Sequence, residues 1–251
     1  KTNQMFHMKD KNRIEVFDSA SDVLVYDVKN HRVLTDSLLF SKGAFETFPS
    51  FSPDGKTLYF STSMAQQMPK DYKSVKYSLC SISFDAQQGR FGNQVDTLYS
   101  AEKTGKTAAF PRVSPDGRFL AFAQADYGNF LIWHKEADLY LIDLKDGQVK
   151  ELPEVNSVEA ESYHAWSSNG RWLVFASRRD DGLYSRPYIA YIDENGKGHK
   201  PFVVPQHTPD FYQNSLTSYN VPEFIKEPVT IDKKVIVETA REGQALKVAA
   251  P

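Results

Sequence analysis

Three stretches of the chain concentrate residue types that can do chemistry. Glu161, Tyr163 and His164 stand within four residues of one another. A carboxylate beside an imidazole can hold or move a proton near neutral pH, so this pair is a candidate general base as well as a binding edge. No nucleophile with a recognisable context accompanies it. Tyr127, Trp133 and His134 share a loop with Gly128, and Glu136 and Asp138 follow. Flat rings with a few polar groups suit a ligand of mixed character. Glu136 and Asp138 add hard oxygen donors for a cation, although their spacing matches no defined metal signature. Arg178, Arg179 and Arg186 form the third group. Guanidinium forks recognise carboxylates and phosphates, but the adjacent Asp180 and Asp181 can equally absorb them in ion pairs. With Glu46, from the corresponding stretch of an earlier repeat, the binding candidates are Glu46, Tyr127, Trp133, His134, Glu161, Tyr163, His164, Arg178 and Arg186. Each has a structural alternative: aromatic packing in the loop, satisfied backbone groups around Glu161 and His164, and ion pairs around the arginines.

These residues are carried by a repeat. The phrases FPSFSPDGKTLYFSTS from Phe48, FPRVSPDGRFLAFAQA from Phe110 and HAWSSNGRWLVFASRR from His164 each read as strand, tight turn, strand. In the turns, Gly supplies positive φ and Asp or Asn bonds locally, so Gly55 and Gly117 are expected at φ > 0 with Asp54 and Asp116 tied into their turns. A second phrase alternates with the first: an apolar strand ending in Asp27, Asp85, Asp143 or Asp193, a polar turn, then another strand. Together the two phrases make a four-stranded antiparallel meander, the blade of a β-propeller. Residues 64–75 and 125–137 are insertions between strands. The innermost strand of a blade lines the central channel, and residues 45–47, 127–134 and 161–164 are expected to approach one another at its mouth.

The fold class expected is therefore all-β, an incomplete propeller of about three and a half blades. Four outer hairpins accompany only three inner ones, too few to close a ring. Residues 1–13 read as a loop after a missing strand, and an upstream segment or another chain is expected to complete the ring. Residues 1–205 form the blades. Residues 206–251 read as an irregular tail of the same domain, with a closing strand at 229–237 and weak helical character at 240–250.

Composition narrows the function. Thirty Lys and Arg balance 32 Asp and Glu for a net charge of −2, without the concentrated basic patch that nucleic acid requires. One cysteine, Cys80, permits no internal disulfide. No apolar run approaches the roughly 18–20 residues of a membrane-spanning helix. A G-x-S-x-G elbow, H-E-x-x-H, a phosphate loop and an EF-hand loop are all missing.

The SPDG turn followed by an alternating strand resembles the TolB-like β-propeller repeat. The stretches RIEVFDSASDVLVYDV, ADYGNFLIWHKEADLYL, ESYHAWSSNGRWLVFASRRDDGLYSRPYIAYID and SYNVPEF are similar to uncharacterised TolB-like envelope proteins of Bacteroidota, over roughly residues 11–224. In that family a haem-attachment-like C-x-x-C-H motif and a WHPSGK-type hairpin precede the corresponding region. This sequence has neither, and no cofactor or metal is expected. The resemblance implies a periplasmic or envelope binding and scaffold module, recognising a protein segment or small ligand at the channel mouth. The alternative is a propeller hydrolase or lyase using acid and base groups there.

Overall fold

The computed structural model describes residues 5–10, 13–243 and 247–248. Two short hairpins come first: β1 (Met5–Asp10) with β2 (Arg13–Asp18), and β3 (Val25–Asp27) with β4 (Arg32–Leu34). Three four-stranded antiparallel blades follow. Blade I is β5 (Ala44–Phe51), β6 (Thr57–Met64), β7 (Ser78–Asp85) and β8 (Arg90–Tyr99). Blade II is β9 (Thr107–Val113), β10 (Phe119–Ala125), β11 (Asp138–Asp143) and β12 (Gln148–Glu151). Blade III is β13 (Glu161–Trp166), β14 (Trp172–Ser177), β15 (Arg186–Tyr191) and β16 (Phe202–Val203). The architecture is all-β, and the blades form no closed ring among the described residues.

The turns work through a serine that the sequence reading passed over. Gly55, Gly117 and Gly170 have φ of 70°, 76° and 67°. Asp54 accepts from the Ser52 hydroxyl and the Lys56 amide, and Ser52 Oγ in turn accepts from the Thr57 amide. Asp116 with Ser114, and Asn169 with Ser167, repeat the arrangement. The Ser of each S-P-D-G or S-S-N-G phrase thus links the turn acid to the strand that leaves it. The outer turns are closed by the expected acids: Asp27, Asp85, Asp143 and Asp193 each accept from backbone amides just downstream.

Apolar strand faces pack blade on blade. Phe119, Leu139, Leu141, Leu173 and Phe175 fill the space between blades II and III, and Leu79, Leu120 and Phe122 that between I and II. Val23 and Leu39, which flank β3 and β4, bury against Leu58, Phe60 and Ile82 of blade I. The outer hairpin β3–β4 therefore sits where a preceding blade would pack, yet pairs with no inner hairpin among the described residues.

Two expectations are corrected. Of residues 1–13, expected as a loop, residues 1–4 and 11–12 lie outside the described ones and Met5–Asp10 is a strand, paired with β2 from Met5↔Asp18 to Asp10↔Arg13. The strand forms because β2 turns Glu15 and Phe17 inward, where Phe17 stacks on Tyr72 at 5.2 Å, and leaves an edge that needs a partner. In the tail, the strand expected at 229–237 is replaced by a helix at Lys233–Glu242. Asp232 caps it by accepting from the Lys234 amide at 2.9 Å. That cap, with Lys, Glu, Ala and Arg as helix formers, outweighs the β-preference of Val235-Ile236-Val237.

The inner strands share a distortion that matters for the site. The registers of β5, β9 and β13 against their neighbours slip after Thr47, Ala109 and Ser162. The next residue is aromatic each time and has positive φ: Phe48 at 52°, Phe110 at 59° and Tyr163 at 51°. Bulky residues rarely adopt this backbone, and its cost is tolerated only where the surroundings impose it. The bulges aim three rings into one row, with Phe48 and Phe110 centroids 3.9 Å apart and Phe110 and Tyr163 edge-to-face at 4.9 Å.

Candidate functional site

At the blade III end of this aromatic row lies a cleft of about 290 Å³. Tyr163 forms one side from its bulge. Ile132 and Trp133 come from a single 3-10 turn, Leu131–Trp133, inside the blade II insertion. Arg178 enters just beyond β14. Ser185, Ser218, Tyr219 and Asn220 close the remaining side. The tail is held there by a reciprocal pair: the Tyr219 amide donates to the Ser185 carbonyl at 2.8 Å, and the Ser185 hydroxyl donates to the Tyr219 carbonyl at 2.9 Å.

The cleft is aromatic and cationic. The Arg178 guanidinium lies 4.8 Å from the centre of the Trp133 ring, a cation–π contact. Its Nη2 donates to the Leu183 carbonyl at 2.6 Å, while its Nε is buried with no hydrogen-bond partner. Burial pulls the Arg178 pKa below its ordinary value, against the fields of Asp181 and Glu159. Burial likewise pushes the Tyr163 phenol up to about 12. Among the described residues no carboxylate lines the cleft.

The expected convergence is thus divided. Trp133, Tyr163 and Arg178 meet at the cleft. Tyr127 and His134 turn instead toward β2. The Tyr127 hydroxyl donates to Glu15 at 2.6 Å, His134 Nε2 lies 3.5 Å from Glu15 and Nδ1 3.5 Å from Glu136, and the Tyr127 and His134 rings meet edge-to-face at 4.7 Å. The cavity beside them is about 10 Å³, too small for a substrate. This cluster fastens the N-terminal hairpin to the insertions of blades I and II.

Glu161 and His164 are interior groups. The fully buried Glu161 carboxylate accepts from the Ser157 amide and hydroxyl, the Ser177 hydroxyl and Arg179 Nη2. Burial, its largest influence, raises its pKa despite these bonds. The His164 ring is buried beside the carbonyls of Phe110 and Ala121 without closing a well-formed hydrogen bond, and burial pulls its pKa down to about 4. It is therefore neutral at physiological pH. Glu46 is buried in β5 and accepts from Ser41. Arg186 donates to Asp180, Asp181 and the Tyr212 carbonyl, which binds blade III to the tail. Asp138, half-buried at the start of β11, has its pKa raised to about 6 by burial and by Glu161 and Glu151. Among the described residues no group of three or more His, Cys, Asp or Glu is placed to hold a metal.

Sequence reasoning missed Glu15, Ser185, Ser218, Tyr219 and Asn220. The segment around Tyr219 showed only a Tyr-, Asn- and Ser-rich composition without periodicity, and its docking on Ser185 is a long-range contact that no local pattern encodes.

No family model and no curated protein matches the chain. Among solved structures it is similar to TolB from Acinetobacter baumannii at 19% identity, covering 79% of this chain and 39% of that one, with a TM-score of 0.47. A putative TolB from Agrobacterium tumefaciens is 18% identical over 66% of this chain and 50% of that one, TM-score 0.43. A puromycin-hydrolyzing peptidase from Mycobacterium tuberculosis is 15% identical over 80% of this chain and 30% of that one, TM-score 0.47. The chain thus spans half or less of the length of each.

Proposed function

We propose that this chain is a non-catalytic binding module that recognises a protein segment or small ligand in the cleft formed by Trp133, Tyr163, Arg178 and Tyr219. The observation that supports this reading is the meeting of four separate segments around one aromatic, cationic hollow, while Glu161, Arg179 and Arg186 nearby are paired with one another or with neighbouring groups. Tyr, Trp and Arg in a partly desolvated pocket are the residue types that carry most binding energy. A periplasmic or envelope location belongs to the same proposal and rests on the TolB-like sequence phrases. No helix among the described residues is long and apolar enough to cross a membrane. Completion of the ring by a further segment or chain is part of it too, since β3–β4 lacks an inner hairpin among the described residues.

A thermal-shift screen of small ligands and peptides tests it. Compounds that raise the melting temperature are expected to lose that effect in Trp133→Ala and in Arg178→Gln. Shifts that survive both substitutions contradict the assignment.

A further inference from the structure

Resting on that reading of the cleft, we infer that its ligand is a carboxylate joined to a flat apolar body: an aromatic acid, either free or as the C-terminal residue of a peptide. Three neighbouring arginines set the argument. Arg179 is paired with Glu161 at 3.1 Å, and Arg186 with Asp180 and Asp181 at 2.8 and 2.9 Å. Arg178 makes no ion pair among the described residues, although Asp181 and Glu159 are near enough to influence it. Those two acids are committed elsewhere, Asp181 to Arg186 and to the Leu183 and Tyr184 amides, Glu159 to Lys135. The cleft therefore offers a cation that has no counter-charge among the described residues and whose guanidinium makes a single hydrogen bond there, from Nη2 to the Leu183 carbonyl. A partly desolvated guanidinium without a counter-charge gains most from an acceptor that itself bears charge.

The remaining walls select the body of the ligand. Trp133, Tyr163 and Tyr219 present rings, and Ser218 and Asn220 add neutral polar groups. With one cation, no lysine and no acid among the described lining residues, the charge matches a monoanion better than a phosphate dianion. The volume of about 290 Å³ accommodates one ring system with its acid group rather than an extended chain.

The test is calorimetric titration of the 251-residue chain with four probes: indole-3-acetate, indole-3-acetamide, an acetylated peptide ending in Phe with a free carboxylate, and the same peptide as its amide. Each acid is expected to bind at least about tenfold more tightly than its amide, the usual weight of a charge-assisted contact. Arg178→Gln should abolish that preference, and Arg178→Lys should retain part of it. The tighter of the two acids identifies the source, free or peptidic. Acid and amide binding equally, with loss in Trp133→Ala, overturns the carboxylate assignment and leaves the binding cleft standing. Binding that neither Trp133→Ala nor Arg178→Gln weakens overturns both. If no probe binds at millimolar concentration, the carboxylate assignment fails, and the cleft is judged by the broader ligand screen alone.

Discussion

Replacing Glu161 with Ala should destabilise the protein by about 3–5 kcal/mol, the range found when one member of a buried charged pair is removed. Its carboxylate gathers two Ser157 donors, Ser177 and Arg179 in the space between blades II and III. Without it the Arg179 guanidinium, which also donates to the Val155 carbonyl and lies over Tyr188, loses its counter-charge in a largely buried position. Glu161→Gln should be milder, because the amide oxygen still accepts from the serines. Urea denaturation of the two variants checks the order. A Glu161→Ala protein as stable as the parent would mean that the buried network carries little of the fold, and would return Glu161 to the list of groups held for chemistry.

The second large effect is a pH dependence centred on His164. Its folded pKa, about 4, lies below the 6.5 of the free side chain. Between those values the unfolded chain takes up a proton that the folded protein refuses. Stability from this group is therefore complete above about pH 6.5 and is lost as pH falls toward 4, by about 3 kcal/mol in all. Asp138 acts in the opposite sense: its folded pKa, raised to about 6 from 3.8, adds stability as pH falls through the same window. Comparing the parent with His164→Leu, which cannot be protonated, cancels the Asp138 contribution. The difference in unfolding free energy between the two proteins should shift by about 3 kcal/mol from pH 7 to pH 4. A constant difference would show that His164 titrates in the folded state as freely as in solution.

The blades were legible because their signals are local and repeated. A Ser-Pro-Asp-Gly turn must close a hairpin, and the Asp that ends each outer strand must bond the amides after it. Among the charged candidates, Arg186 meets Asp180 and Asp181, and Glu161 meets hydroxyls and an arginine, contacts for which the sequence offered nearby partners only at Arg186. What escaped depends on contacts between distant segments. The positive φ of Tyr163 comes from a bulge set by strand pairing, and an aromatic residue gives no sign of it in the sequence. Tyr219 reaches the cleft only because the tail returns to Ser185. The hairpin β1–β2 is joined to the blades through Glu15, Tyr127 and Tyr72, which lie far apart in the chain. At Lys233–Glu242 two local signals competed, and the Asp232 cap prevailed over three β-branched residues.

The central claim, that binding occurs at the cleft between Trp133, Tyr163, Arg178 and Tyr219, is tested most directly by hydrogen–deuterium exchange with and without a bound ligand. Amides at 131–134, 163, 178–185 and 218–220 are predicted to gain protection together, since one ligand would join all four segments. Protection confined to 15–18 and 127–134, or to a face that includes none of these segments, would contradict it.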